Sequence, residues 1–388
     1  MKNKFNRFLK ITEEYTTLLL SSAINFRFHH RANSSSDDIK KIAIIKLDHI
    51  GDVILSIPAL ANIRYRFPYA RITMLVNSSS KPIAELIPYV DEVICYNARF
   101  FDRSESTKIL DIPKAIRFAN EMKKRNFDLI VDLRGSFASI LFAMVSKSKY
   151  RIDRGSYLLK RKFNQPKDDA IGTSFAIKQR GDDYTLKHEA EIALDILSKA
   201  GIDIITKESS LKGSEINNER KNHGLKIIIH SGGPMLQKRW SAESYVELIN
   251  QILRNFDSRV LLIGGKDETE LVGSIVSALN DERVGDLSGK LSLAQLVDTL
   301  KESDLFIGND SGPMHIASAC GIKVIGLYGP TDPERFGPYG KNCIALRMEK
   351  KCPPCSHGEC KFSDYRCIDQ ISVNDVMNTI SDSMNIKL

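Results

Sequence analysis

Short apolar runs recur along the chain, each followed by a loop rich in glycine or polar residues and then by a helically periodic stretch. The run Lys41 to Leu47 (KIAIIKL) leads into Asp48-His49-Ile50-Gly51-Asp52 and a helix predicted from Val53 to about Phe67, ahead of Pro68. Strands predicted at Arg71 to Val76, Glu92 to Tyr96 and Asp128 to Asp132 alternate with helices near Pro82 to Ile87 and Pro113 to Asn126. After the last strand, Leu133-Arg134-Gly135-Ser136 opens a further apolar helix to about Val145. Runs that are apolar throughout suit strands buried on both faces, and their alternation with helices predicts a doubly wound parallel sheet. Residues 151–187 are basic and poorly periodic and read as a long mobile loop over a cleft. A helix over His188 to Ala200 and a polar stretch from Lys207 to Gly224 follow.

The second half restarts the same pattern. A strand over Leu225 to His230 runs into Ser231-Gly232-Gly233-Pro234, with Lys238 close behind, and a helix from about Ala242 to Leu253 has Ser241 at its cap. A strand over Arg259 to Ile263 precedes a helix carrying Glu268 and Glu270, and a helix over Leu293 to Lys301 leads to the strand Asp304 to Ile307. Gly308-Asn309-Asp310-Ser311-Gly312-Pro313-Met314-His315 comes next, then the strand Val324 to Tyr328 and the rigid turn Gly329-Pro330-Thr331-Asp332-Pro333. The organisation predicted is a basic extension over 1–40, a Rossmann-like domain over 41–205, a linker over 206–224 and a second Rossmann-like domain over 225–388, with a cleft between the two domains.

Length supports that division, because 388 residues exceed one ordinary core. Lysine and arginine number 56 against 48 acids, a net charge of +8 that favours anionic partners: nucleic acid, anionic lipid or phosphorylated substrates. No aromatic residues interleave a basic patch, which argues against nucleic acid. No apolar run approaches the roughly 20 residues that cross a bilayer. Phe5, Phe8, Leu9, Tyr15 and Leu19 share one face of a basic amphipathic N-terminal helix, a feature of anionic membrane surfaces as well as of helices packed on their own protein. The odd count of seven cysteines and long cysteine-free stretches point to a reducing, cytoplasmic compartment. Cys352, Cys355, Cys360 and Cys367 follow the spacing C-x2-C-x4-C-x6-C, which suits a structural zinc held by four thiolates, and equally free thiols or a redox pair.

The candidate chemistry sits in the loops that close the apolar runs. Asp310 and Ser311 occupy the cap of a predicted helix, whose unpaired N–H groups and positive dipole end favour phosphate; Gly312 permits close approach and His315 lies one turn on. Ser231, Gly232 and Gly233 form a second small-residue loop, and Lys238 supplies a point charge for an anionic leaving group. Neither the Walker ending nor G-x-G-x-x-G is present, and no two aspartates lie two apart to hold a metal on a nucleotide sugar. Asp52, after a glycine at the mouth of the first strand, is placed to act as general base, with Asp48 and His49 as rivals in the same loop. Its simpler reading is a helix cap.

Four stretches resemble one family in its own order: Lys46 to Leu60 (KLDHIGDVILSIPAL), His230 to Trp240, Gly308 to His315 (GNDSGPMH) and Tyr328 to Gly340 (YGPTDPERFGPYG). They are similar to the bacterial heptosyltransferases of glycosyltransferase family 9, and the cysteine cluster of the tail resembles one found in many members. The resemblance covers roughly residues 41–370. It implies a GT-B fold, with the acceptor on the first Rossmann-like domain and the nucleotide sugar on the second. It implies inverting transfer of heptose from ADP-heptose to the inner core of lipopolysaccharide, without a required cofactor, at the inner face of the cytoplasmic membrane. By the same resemblance Asp52 matches the catalytic base and Lys238 the lysine on the donor diphosphate. Ser231, Gly232, Asp310, Ser311, Gly312 and His315 match donor-binding positions, with Ser311 in place of a more usual threonine. A nucleoside-binding acid matches Glu268 or Glu270. The first 40 residues and His49 fall outside the common pattern. Another sugar, another nucleotide and another cell-surface glycan remain open within the family; outside it stands a non-catalytic nucleotide binder.

Overall fold

The computed structural model describes residues 38–97, 112–135, 148–153, 187–213, 224–348 and 366–385, with isolated residues between 139 and 146 and the pair 175–176. The basic extension through residue 37, most of the 151–187 stretch and tail cysteines 352, 355 and 360 lie outside the described residues. The chain divides after Lys207 into two units.

The first unit is built on β1 (Lys41–Ile45), β2 (Arg71–Val76), β3 (Glu92–Cys95), β4 (Leu129–Asp132), β5 (Tyr150–Asp153) and β6 (Phe175–Ala176). All pair in parallel, in the order β3-β2-β1-β4-β5-β6. The helices are α1 (Ile50–Ile54), α2 (Ile57–Arg66), α3 (Lys81–Ala84), α4 (Ile112–Lys124) and α5 (Glu189–Lys199). Ile42 to Ile45 are buried on both faces of the sheet, as their unbroken apolar run requires. On one face Tyr96 stacks on Phe118 at 4.0 Å, and Phe142 meets Tyr96 edge-on at 4.9 Å.

The second unit repeats the plan with β7 (Leu225–His230), β8 (Ser258–Ile263), β9 (Val284–Asp286), β10 (Leu305–Asn309), β11 (Lys323–Leu327) and β12 (Cys343–Leu346), ordered β12-β11-β10-β7-β8-β9 and all parallel. Its helices are α6 (Ala242–Asn255), α7 (Thr269–Leu279), α8 (Leu293–Lys301), α9 (Gly312–Ala319), α10 (Pro333–Phe336) and α11 (Val373–Met384). In each sheet the strand order reverses beside the first strand, between β1 and β4 and between β7 and β10. Doubly wound folds bind ligands beyond the carboxyl ends of the strands at this point.

Three sequence expectations change. The helix expected over 53–67 is two helices, starting at Ile50 and broken at residues 55–56. Pro58, second in α2, brings no N–H, and its ring crowds the carbonyl four residues back. Ser56 Oγ donates to the Val53 carbonyl at 2.6 Å and closes the break. Within the stretch read as a loop, Tyr150–Asp153 and Phe175–Ala176 are strands of the first sheet. The short edge strands β9 and β12 and the final helix α11 add to the expected elements. Helix α11 starts on a capping box between Ser372 and Asp375 and buries Val376, Met377 and Ile380 in the second core.

Candidate active site

In the first unit the carboxyl ends of β1 and β4 carry an ionic cluster. Lys46, buried, reaches Asp48 Oδ2 at 3.2 Å, and Arg134 donates to Asp48 Oδ1 at 2.7 Å. Burial pushes the Asp48 carboxyl up, but the charges of Lys46 and Arg134 and their hydrogen bonds outweigh it and hold the group well below the usual carboxylate range. With both oxygens engaged, Asp48 is a poor proton acceptor. His49 is exposed and provides the backbone N-cap of α1.

Asp52 differs from both. It lies in the first turn of α1 rather than at its cap, half-buried, with no hydrogen bond or ion pair to its carboxylate among the described residues. It faces a small pocket that Lys46, Ser56, Leu133, Glu189 and Ile192 also line. The β4 end is held open by Asp132, which accepts from the Arg134 and Gly135 amides at 3.0 and 3.1 Å and from Ser139 Oγ at 2.8 Å. Full burial pushes this carboxyl up, against those three hydrogen bonds.

In the second unit the loops after β7, β8 and β10 are tied by buried hydrogen bonds. Asn309, fully buried at the end of β10, uses its whole amide: Nδ2 donates to the carbonyls of Ser231 and Gly232, both at 2.9 Å. Its Oδ1 accepts from the Trp240 amide at 3.1 Å and from Tyr245 Oη at 3.0 Å. Glu268 accepts from the Gly233 amide at 2.6 Å and the Gly265 amide at 2.8 Å, and pairs with His230 Nε2 at 3.1 Å. The His230 hydrogen bond, against the upward push of burial, then the charge the imidazole carries when protonated and the Gly265 and Gly233 amides, bring the Glu268 carboxyl down to about 2.

Two consequences are measurable. A carboxyl whose folded pKa is depressed contributes stability above its unfolded pKa and loses it as pH falls through the folded one. Glu268 therefore contributes about 3 kcal/mol above about pH 4.5, lost between there and about pH 2, and Glu268→Gln flattens that acid limb in denaturant titrations. A Cβ on Gly232 would lie 1.9 Å from Glu268 Oε1, an oxygen clamped by the Gly233 amide. Gly233 adopts φ +143°, which aims that amide at the carboxylate. Gly232→Ala is expected to cost about 1–3 kcal/mol, read as a lower urea midpoint.

The residues singled out from the second half gather at this edge. Lys238, in a 3-10 turn over Leu236–Lys238, donates to Asp310 Oδ2 at 2.6 Å. Ser311 is the N-cap of α9, yet its side chain makes no capping bond and meets His230 Nδ1 at 3.0 Å instead. Gly312 opens the helix, and His315 is buried one turn on. Ser231 Oγ is buried with no hydrogen-bond partner among the described residues. Glu270 is exposed on α7, whereas Glu268 sits inside the network. His230, Asn309, Lys46 and Arg134 were not singled out as site residues. Their signal is a polar or charged residue closing or following a buried apolar run, as in IIIH, LFIGN, AIIK and LIVDLR.

Two Rossmann-type units with charged and small-residue loops at their strand ends are the arrangement of the GT-B fold. The chain belongs to glycosyltransferase family 9, the heptosyltransferases, whose family model matches residues 115–366, more than half its length. A crystal structure of a family 9 glycosyl transferase from Veillonella parvula has the same fold, with a TM-score of 0.70 at 21% identity over 91% of this chain and 99% of that one. So does Escherichia coli heptosyltransferase WaaC solved with ADP, with a TM-score of 0.65 at 20% identity over 88% and 99%. Lipooligosaccharide heptosyltransferase 2 of Campylobacter jejuni is 24% identical over 339 residues, covering 84% of this chain and 93% of the relative.

Proposed function

We propose that the enzyme transfers heptose from ADP-heptose to a phosphorylated glycolipid, the inner core of lipopolysaccharide, with inversion and without a metal ion. The observation that carries this reading is the gathering of Lys238, Asp310, Ser231, Ser311 and the amino end of α9 at one strand edge of a family 9 fold. Relatives named as lipooligosaccharide and lipopolysaccharide heptosyltransferases, and neighbours solved with ADP and with ADP-2-deoxy-2-fluoro heptose, support the donor.

In this reading Asp52 takes the proton of the acceptor hydroxyl as its oxygen attacks the anomeric carbon. The bond to the diphosphate breaks on the opposite face, and charge builds on the leaving oxygens. Lys238 and the N–H groups that open α9 meet that charge, and their contact strengthens as the transition state forms. The family match begins at residue 115, so the role of Asp52 rests on its place at the mouth of β1 and on a carboxylate uncommitted among the described residues. Gly312 lets the diphosphate approach the backbone at the start of α9, Ser231 and Gly232 shape the adjoining donor loop, and His315 lies one helical turn on. Glu268, with its oxygens engaged inside the protein, shapes the loop that receives the nucleoside. The net charge of +8 suits a phosphorylated acceptor at an anionic inner-membrane surface, and no described helix is long and apolar enough to cross a membrane.

The test is calorimetric titration with ADP-heptose, GDP-mannose and UDP-glucose, with chelator present. The expected result is binding of ADP-heptose unaffected by chelator. Preference for a guanine or uracil conjugate would move the reading to another sugar within the family, and loss of binding on chelation would overturn the metal-free mechanism.

A further inference from the structure

We propose that His230 is a positioning residue for the donor diphosphate, taking up a proton on donor binding and thereby turning the Ser311 hydroxyl toward the phosphate. The inference rests on the donor site described above and assigns it a proton-linked relay.

His230 closes β7 with 3% of its surface exposed, and both ring nitrogens are engaged. Glu268, as a carboxylate, only accepts, so the hydrogen between Glu268 Oε2 and His230 Nε2 belongs to the ring. In the neutral ring Nδ1 is then bare, and Ser311 must donate its hydroxyl proton to it across 3.0 Å. Ser311 then has only lone pairs to offer an anion at the start of α9. Proton uptake by the ring reverses this bond. Nδ1–H donates to Ser311 Oγ, and the freed hydroxyl proton turns to a phosphate oxygen. One proton comes from solvent and no covalent bond changes.

The loop after β7 carries a second buried hydroxyl. Ser231, the next residue after His230, holds a hydroxyl that is 1% exposed at residue level and unpartnered among the described residues. Ser311 spends no hydrogen bond on capping α9, so the first-turn N–H groups stay available to the same anion. Glu268 lies on the β8–α7 turn, and Asp310, beside Ser311 on the β10–α9 loop, is neutralised by Lys238. The Tyr245 hydroxyl of α6, its proton given to Asn309 Oδ1, lies 3.3 Å from the His230 carbonyl oxygen, and burial pushes that phenol far up, so it stays neutral. His315 lies one turn into α9. A new positive charge on the ring therefore faces one fixed carboxylate and the incoming diphosphate.

The experiment titrates the full-length protein with ADP-heptose between about pH 6 and about pH 9, in buffers of different ionisation enthalpy. A nucleotide sugar is the right probe because its diphosphate, esterified at both ends, neither gives nor takes a proton in that range. Uptake of up to one proton per donor bound is expected, with affinity falling by up to about tenfold per pH unit above the histidine range. Ser311→Ala is expected to bind about tenfold more weakly with no uptake, one charge-assisted hydrogen bond being lost. His230→Asn keeps an amide N–H near the Nδ1 position and is expected to bind with an affinity independent of pH. Binding without buffer-dependent enthalpy in the wild type overturns the relay while leaving the donor reading intact, as does wild-type proton uptake in His230→Asn. Uptake seen with GDP-mannose but no binding of ADP-heptose upholds the relay and overturns the donor assignment. Binding of neither overturns both.

Discussion

Replacing Asp52 by alanine is expected to lower the transfer rate by about 10²–10⁴-fold while leaving donor affinity within a factor of about two. The expectation follows from how the first unit divides its charges. Lys46 and Arg134 are both committed to Asp48, whose two oxygens they occupy at 3.2 and 2.7 Å. Asp52 is in the next turn of backbone, on the pocket, with no such commitment among the described residues. A base has to be ionised and reachable, and of the acids in that loop only Asp52 is both reachable and unspent. Donor titration and initial rates on the same preparation separate the two effects. If Asp52→Ala loses donor binding in step with its rate, Asp52 holds the donor and is not the base. Asp48→Asn serves as the contrast, because loss of the counter-ion between buried Lys46 and half-buried Arg134 should show first in thermal stability.

Lys238→Ala is expected to weaken donor binding and transfer together, by roughly 10²-fold in kcat/KM, the scale of one lost charge-assisted contact to a leaving group. Part of the effect is local. The ammonium sits 2.6 Å from Asp310, a carboxylate that is 8% exposed, and its removal leaves that acid buried without its cation. Lys238→Ala should therefore also melt lower than wild type, and Lys238→Ala/Asp310→Asn should recover melting temperature without recovering rate. A double variant that recovers both would make Lys238 a structural residue only. Lys238→Arg keeps the charge but not the point geometry, so an intermediate rate is expected.

How much of this was legible in the sequence depended on the length scale of each feature. The two sheets followed from buried runs such as KIAII and LKIIIH, which have no polar alternation and so belong between layers of helices. The loops after those runs marked Asp52, Ser231, Lys238 and Ser311, because a strand that stops at a small or charged residue has to stop for a reason. What the pattern hid were features set by tertiary contact. The break between α1 and α2 looked like continuous helix, since Pro58 sits where a second helix begins as well as where a first one ends. Strands of three or four residues at a sheet edge, such as β9 and β12, carry too few positions for a period to show. The Glu268–His230–Ser311 chain joins residues 38 and 81 positions apart, and no local spacing announces it. Ser311 looked like a helix cap, and its backbone is one; its side chain was taken by an imidazole that the sequence shows only as the last letter of an apolar strand.

The central claim is tested most directly by a transfer assay. Purified protein is incubated with ADP-heptose and lipopolysaccharide core lacking its heptoses, with chelator present, and product mass and ADP release are followed together. One heptose added per ADP released is expected, at a rate that chelator leaves unchanged and Asp52→Ala lowers by about 10²–10⁴-fold. ADP release with no change in acceptor mass, or heptose transfer at an undiminished rate in Asp52→Ala, would contradict it.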